Sequence, residues 1–331
     1  MDIMTQRPIR SVITGTGSAL PRNKISNDEI SKRVDTSDAW IQERTGIKFR
    51  HIAEADETTA SLGASAAQKA MDAAGLINQD IDLIIVATAT PDQTFPATAT
   101  KIQHLLGIKQ GAAFDVAAVC SGFVYAIGVA DSMLKNGMAK HALVIGAETF
   151  SRILDWEDRT TAVLFGDGAG AIILSAMGTD DTQYPHADIL ANKLRSDGAH
   201  NALLYVDGGV STTGTVGKLR MQGREVFRHA VTNLASVLSE ALAIAQLQPA
   251  DVNWIVPHQA NARILDATAK KLGLDRNNIV VTVDQHANTS AASVPLALDV
   301  AVRDGRIKRG QIIALEAMGG GFTWGASILR Y

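Results

Sequence analysis

The sequence holds a single cysteine, Cys120, so no disulfide can form within the chain and a disulfide-stapled secreted scaffold is excluded. It has no uninterrupted apolar run of the roughly 18 residues that a membrane-spanning helix needs. Met1–Arg10 carries no apolar core of signal-peptide length. No membrane association is expected, and the cytoplasm is the expected location. Neither sign of charge dominates: 31 basic and 34 acidic side chains leave a formal net charge of -3, which argues against nucleic acid as the main partner. Aromatics are scarce at 5%, so elements have to pack closely through small side chains. What remains is an ordinary enzyme composition, 46% hydrophobic and 20% charged over 331 residues. That length suits one large domain or two intimately packed ones.

Short β-branched runs alternate with longer Ala-rich segments of helical period, the pattern of an α/β protein. Strands are expected at Ser11–Gly15, Leu83–Ala89, Ala112–Val116, Ala142–Gly146 and Ala169–Ser175. The second part adds Ala202–Val206, Asn253–Val256, Ile279–Val283, Gln311–Glu316 and Ala326–Arg330. Helices are expected at Thr59–Ala74, Thr98–Leu106, Gly122–Lys135, Arg224–Ala245, Arg263–Lys271 and Ala291–Arg303. The order of elements repeats. Strand, helix, strand, Cys120 before a helix, strand and the Gly166-Asp-Gly-Ala-Gly170 run match strand, helix, strand, Asn288 before a helix, strand and Gly319-Gly-Gly321. The expected division is therefore residues 1–178 and 179–331. Cys120 and Asn288 are expected at equivalent places in duplicated halves, both at helix N-termini facing one centre.

Four local signals carry chemistry. Cys120 stands in Asp115-Val-Ala-Ala-Val-Cys-Ser-Gly-Phe123, where a strand turns into a helix. A helix N-terminus stabilises thiolate and is expected to lower the thiol pKa from about 8.5. A buried structural cysteine would read the same way. His258, in Pro257-His-Gln-Ala-Asn261, follows an apolar strand, at the strand edge where open α/β sheets place ligand-handling groups. A structural hydrogen-bonding histidine fits there too. Asn288-Thr-Ser290 offers helix caps as readily as catalytic donors. Gly319-Gly-Gly321 can present a bare N–H to an oxyanion, or only turn the chain.

Taken together the motifs are far more specific than any one of them. Gly15-Thr-Gly17 with Leu20-Pro21, Asp35-Thr-Ser-Asp38, Trp40-Ile41 with Arg44-Thr-Gly-Ile47, and Phe165-Gly-Asp-Gly-Ala-Gly170 precede the histidine and asparagine motifs. Gly319-Gly-Gly-Phe-Thr-Trp-Gly325 closes the series. Over essentially the whole chain this set resembles the ketoacyl synthase III family of thiolase-fold condensing enzymes. The resemblance implies a five-layered αβαβα sandwich of two duplicated βαβαβαββ halves, a homodimer, and a decarboxylative Claisen condensation. An acyl-CoA primer, acetyl-CoA in the first place, and malonyl-acyl carrier protein would give 3-oxoacyl-acyl carrier protein, CoA and CO2, beginning fatty acid synthesis. It implies no metal and no cofactor.

On the same resemblance Cys120 is the acyl acceptor, and the N–H groups of Cys120 and Gly320 form the oxyanion hole. His258 and Asn288 donate to the enolate oxygen left by decarboxylation; an asparagine cannot act as base, which favours charge stabilisation. Trp40, with Arg159 in preference to Arg152, and Arg44 nearby, would hold the CoA adenine. Asn261 would meet the pantetheine arm, and Phe95 would reach an acyl pocket across the dimer interface. Gln259, Arg263, Arg224, Arg228, Lys270 and Lys271 would dock the acidic carrier protein; solvated helix surface is the plainer account of the two lysines. One departure stands out: Ala287 occupies a position where the family commonly has glycine, and a small local adjustment without loss of activity is expected.

Three rivals remain open at this level. A cysteine protease also uses Cys, His and Asn in that order, but Cys-Gly-Ser-Cys-Trp is absent. A related synthase could use other acyl primers, make polyketide or quinolone-like products, or form 3-hydroxy-3-methylglutaryl-CoA. A catalytically silent acyl-CoA-binding protein would need no intact Cys-His-Asn set.

Overall fold

A computed structural model describes residues 8–273 and 275–331. Two sheets form the frame. The first contains β1 (Ile9–Ala19), β4 (Leu83–Ala87), β5 (Ala112–Val116), β6 (His141–Glu148) and β7 (Gly168–Gly178), in the order β1-β7-β6-β4-β5. The second contains β8 (Asp188–Ser196), β11 (Trp254–Pro257), β12 (Ile312–Gly319) and β13 (Thr323–Arg330), in the order β11-β12-β13-β8. In both, the strand before the last crossover runs parallel to its neighbour, and the final hairpin is antiparallel.

Helices α5 (Gly122–Lys135) and α10 (Ser293–Arg303) lie between the sheets. Phe123, Ile127, Val294 and Leu298 pack there against Ile85 and Val144 on one side and Val256 and Leu315 on the other. Helices α3 (Thr59–Ala74) and α4 (Thr98–Leu105) cover the far face of the first sheet through Ala66, Ala67, Ala70 and Ile102. Helices α7 (Gly223–Ile244) and α8 (Ala262–Leu272) cover the far face of the second through Val237, Leu238, Ala241 and Ala269. Five layers, αβαβα, result. Small residues allow the close approach that scarce aromatics require. A Cβ on Gly15 or Gly17 would fall 2.2 or 2.3 Å from the α3 carbonyls of Ala70 and Ala66, which accounts for Gly15-Thr-Gly17.

Smaller elements surround this frame: the ribbons β2 (Asn23–Ser26)–β3 (Phe49–Ile52) and β9 (Leu204–Val206)–β10 (Leu219–Met221), and the short helices α1 (Asn27–Ser31), α2 (Asp38–Thr45), α6 (Arg159–Ala162) and α9 (Val283–His286).

Three expectations change. Ile279–Val283 is not a strand: it makes one parallel bridge, Ile255 to Ile279, and then turns into α9. It marks the place of a fifth strand without forming one. Ala202–Val206 shortens to β9, paired only with β10. Strand β8 is absent from the sequence reading because Asn192, Lys193 and Arg195 break its apolar pattern. Asn192 earns its place by bonding Asp131 at 2.9 Å and Ser327 at 2.7 Å.

The duplicated turns also fall into a different register. Val119 (φ 47°) opens the 3-10 turn Val119–Ser121 before α5, and Ser290 (φ 49°) opens the turn Ser290–Ala292 before α10. Each turn is preceded by a residue with ψ 28°, and each central helix begins three residues after the strained one. Val119 therefore corresponds to Ser290, and Cys120 to Ala291. Asn288 lies three residues upstream of Cys120's counterpart.

Candidate active site

Cys120 is buried at the start of α5, and the turn that carries it is pinned by Ser121, whose hydroxyl bonds the Ala118 carbonyl at 2.8 Å and Thr323 Oγ1 at 2.7 Å. The glycine run after β12 passes directly over it: a Cβ on Gly319 would stand 2.6 Å from the Cys120 backbone nitrogen. Only a bare backbone fits. The expected depression of the thiol pKa is not found. Burial pushes it up to about 12, and the charge of Glu148 adds to the rise; Ser290 opposes it. Loss of water outweighs the helix end, so the resting group is a thiol.

His258 leaves the C-terminal end of β11, fixed by its own N–H to the Glu316 carbonyl at 2.7 Å. Its Nδ1 lies 2.6 Å from the Ser293 hydroxyl, which itself accepts the Gln259 N–H at 3.3 Å. Having accepted that proton contact, Ser293 has its own hydrogen free for Nδ1, and we assign the tautomer that leaves Nε2 protonated. Burial pushes the imidazole pKa down to about 3, so the ring is neutral and donates from Nε2.

Asn288 is held by backbone bonds to Leu164 and Gly166, both 3.0 Å. Its Oδ1 accepts the Ser290 N–H at 2.9 Å, which leaves the Nδ2 hydrogens as the outward donors. Cys120, His258 and Asn288 line one cavity of about 680 Å3, within the range of small-molecule sites. Its wall continues through Phe227, Leu234, Met318 and Phe322. Beside Cys120 a smaller apolar recess of about 70 Å3 is lined by Phe150, Ile153, Phe165 and Leu219.

Similarity to known proteins follows the same outline. The 3-oxoacyl-[acyl-carrier-protein (ACP)] synthase III family model matches residues 114–198, and its C-terminal counterpart matches residues 242–331. A beta-ketoacyl-[acyl-carrier-protein] synthase III of Sphingopyxis alaskensis is 68% identical over 97% of this chain and 99% of its own. The chain belongs to the 3-oxoacyl-[acyl-carrier-protein] synthase III family. The synthase III structure from Aquifex aeolicus VF5 is 46% identical, with a TM-score of 0.91 over 97% of this chain and 100% of that one. The priming beta-ketosynthase of the R1128 polyketide pathway also has a TM-score of 0.91, at 33% identity, over 100% and 99% of the two chains. This synthase III is thus a thiolase-fold condensing enzyme and an acyltransferase.

The remaining expected residues of the synthase III divide into those at the cavity and those elsewhere. Helix α2, capped by Ser37 and closed by Gly46 at φ 74°, carries Trp40 and Arg44 one turn apart. The guanidinium carbons of Arg44 and Arg159 lie 4.6 and 5.1 Å from the Trp40 ring centroid. Arg152 instead turns to the Glu54 and Glu57 carbonyls. Asn261 lines the cavity while capping α8: it accepts from Arg263 N at 2.8 Å and donates to the Arg44 carbonyl at 3.2 Å. Arg224 of α7 and Arg263 of α8 line the mouth. Arg228 is paired with Glu225 at 2.7 Å, and Lys270 and Lys271 lie two turns further along α8. Phe95 is 82% exposed and does not line the cavity of its own chain.

Gln259 is a correction. It is buried, its Nε2 donates to the Pro257 and Val280 carbonyls, and its Oε1 accepts from Thr282 and Val283. With every polar atom spent inside, it braces the His258 loop and presents nothing to a protein partner. Gly320 packs on the Leu204 carbonyl, 2.6 Å from where its Cβ would be. Two contributors escaped the sequence analysis: Ser293, whose hydroxyl bonds His258 Nδ1, and Glu148, whose charge adds to the rise of the Cys120 thiol. A serine in a capping-rich stretch and a glutamate ending a strand carry no local signal of such roles.

Proposed function

We propose that this synthase III joins an acyl-CoA primer, acetyl-CoA in the first place, to malonyl-acyl carrier protein in the first condensation of fatty acid synthesis. One observation carries the reading: a buried thiol and two neutral donors, His258 Nε2–H and the Asn288 amide, face one cavity with no charged base among the three. Cys120 attacks the primer thioester and releases CoA, with the Cys120 and Gly320 N–H groups on the tetrahedral oxyanion. Malonyl thioester then loses CO2, and His258 and Asn288 stabilise its enolate oxygen. The carbanion attacks the acyl-Cys120 carbonyl and returns the thiol. No step calls for a metal or redox cofactor.

Trp40 between Arg44 and Arg159 offers faces for a purine, and Asn261 lies on the way to Cys120. Arg224 and Arg263 give the mouth a positive rim for an acidic carrier protein; Arg228, Lys270 and Lys271 extend it. Phe95 fits a role across a homodimer interface, since it serves no cavity in its own chain. The recess beside Cys120 suits a short apolar acyl group. Among the described residues no helix is long and apolar enough to cross a membrane, in keeping with work in the cytoplasm. Residues 1–178 and 179–331 form the two halves in this reading. Likeness to the R1128 priming enzyme favours a second reading, the same chemistry with another primer or a polyketide-like product.

The test is intact-protein mass spectrometry after mixing with a panel of acyl-CoAs. A single acyl adduct that Cys120→Ser abolishes is expected, strongest for short chains. No adduct with any acyl-CoA would overturn the reading.

A further inference from the structure

The apolar recess beside Cys120 has two unlike walls. One is fixed: Phe150 and Ile153 stand on the turn after β6, and Phe150 stacks on Phe165 with ring centroids 4.9 Å apart. The other is the β9–β10 ribbon, which contributes Leu204, Val206 and Leu219 and pairs with neither large sheet. In the ribbon's register Leu204 stands opposite Met221, Tyr205 opposite Arg220 and Val206 opposite Leu219. Opposed residues share a face and successive ones alternate, so the apolar residues turn inward and Arg220 stands on the outer face. Arg220 lines neither the cavity nor the recess.

From there Arg220 reaches two carboxylates. Its Nη1 donates to Asp155 Oδ2 at 2.6 Å, and its Nε donates to Asp207 Oδ2 at 2.7 Å. Asp155 comes two residues after Ile153, on the fixed wall, and Asp207 directly follows Val206 of the ribbon. Among the described residues, Arg220–Asp155 is the one ion pair that joins the ribbon to that wall. Part-exposed ion pairs contribute little singly, because water screens them and two side chains have to be ordered. Here the backbone orients both anions: Asp155 Oδ1 accepts the Glu157 N–H at 3.2 Å, and Asp207 Oδ1 accepts the Lys218 N–H at 2.7 Å. One planar guanidinium then serves the two. Its bond holds Asp155 below the usual carboxylate range, and the Lys218 N–H together with Arg220 does the same for Asp207.

We infer that the Asp155–Arg220–Asp207 clasp limits the length of primer this synthase III accepts, by holding the ribbon closed over the recess. The inference rests on the recess being the acyl site. With the ribbon seated, the recess of about 70 Å3 has room for roughly two groups the size of water, at about 30 Å3 each. A short acyl group fits in that space. A longer tail has to push the ribbon away from the Phe150–Ile153 turn, and that motion has to break the Arg220–Asp155 bond. Arg220 touches neither acyl group nor thiol, so it is a positioning residue, and its loss should act on the choice among primers.

The test is the rate of acyl transfer to Cys120, followed by intact-protein mass spectrometry with acetyl-, butanoyl-, hexanoyl- and octanoyl-CoA in turn. Arg220→Met keeps an apolar stem and removes the charge. It should raise the hexanoyl-to-acetyl rate ratio about 10-fold over wild type, the scale on which an apolar pocket discriminates by size. Asp155→Asn should shift the ratio the same way, and the double variant should add little to either, since both break one contact. Arg220→Lys should recover part of the wild-type preference. Leu219→Ala widens the recess directly with the clasp intact and should also favour longer chains. An unchanged ratio in Arg220→Met while Leu219→Ala shifts it would overturn the role of the clasp alone. A fall by one factor with every donor, the mark of a merely structural residue, would do the same. An unchanged ratio in both variants would overturn the recess as the acyl site, and this inference with it.

Discussion

Ser293 Oγ lies 2.6 Å from His258 Nδ1 and accepts the backbone N–H of Gln259, so a single hydroxyl decides which imidazole nitrogen faces the cavity. Ser293→Ala should leave acyl transfer to Cys120 intact. Malonyl-thioester decarboxylation should fall about 10- to 100-fold, the usual cost of losing a group that orients a reactive imidazole. Measuring the two half-reactions separately checks this; equal loss in both would deny the assigned tautomer.

Removing Asn288's donor should act on the same half. Asn288→Ala should cost on the order of 100- to 1000-fold in decarboxylation and leave the acyl adduct forming. Loss of the adduct itself would place Asn288 in the first half-reaction.

Charge at the mouth should matter only to the carrier-bound substrate. Reversing Arg224 and Arg263 to Glu should raise KM for malonyl-acyl carrier protein by about 10-fold or more and weaken its salt dependence. Condensation with a small malonyl thioester free of carrier protein should change little. Equal effects on both substrates would remove the docking role.

Ala287 sits at φ 57° and ψ -161°, a region that costs a side chain about 1–3 kcal/mol. Ala287→Gly should stabilise the fold by about 1 kcal/mol after the greater entropy of unfolded glycine is subtracted. The sequence reading expected only a small adjustment at this site. Chemical denaturation gives the difference, and a destabilised variant would show that the backbone is not strained there.

Stability should peak in mildly acidic solution. Burial lowers His258 to about 3 and His286 to about 4 from 6.5, so the unfolded chain binds their protons first and stability falls as pH drops below 6.5. Burial raises Glu148 to about 7 and Glu316 to about 8 from 4.5, so the folded chain holds their protons longer. That contribution is full below 4.5 and is lost as pH rises through 7 and 8. Glu316→Gln should flatten the fall in Tm between pH 6.5 and 8; an unchanged slope would assign it elsewhere.

The sequence was most legible where chemistry and turn geometry coincide. Cys120 and His258 each follow a strand end, Asn288 follows the short helix α9, and the structure brings all three to one cavity. Strands with β-branched runs were legible because both their faces are buried. β8 was not, because Asn192 and Lys193 are satisfied by partners far along the chain. Gln259 misled for a related reason: its neighbours in the motif face the cavity, while its own side chain points into the protein. The thiol's environment was invisible, since Glu148 and Ser290 meet it only through packing of three separate segments.

The shared backbone of Val119 and Ser290 has a consequence for how the molecule can be divided. The central helices α5 and α10 are each sandwiched by both sheets, and the two strained turns abut at their tips. Split at the junction between halves, either fragment would bare the apolar face that the other fills. It would also lose half of the walls around Cys120. The two sheets share a single core, and the residues that line the cavity reach it from both sides of that shared core.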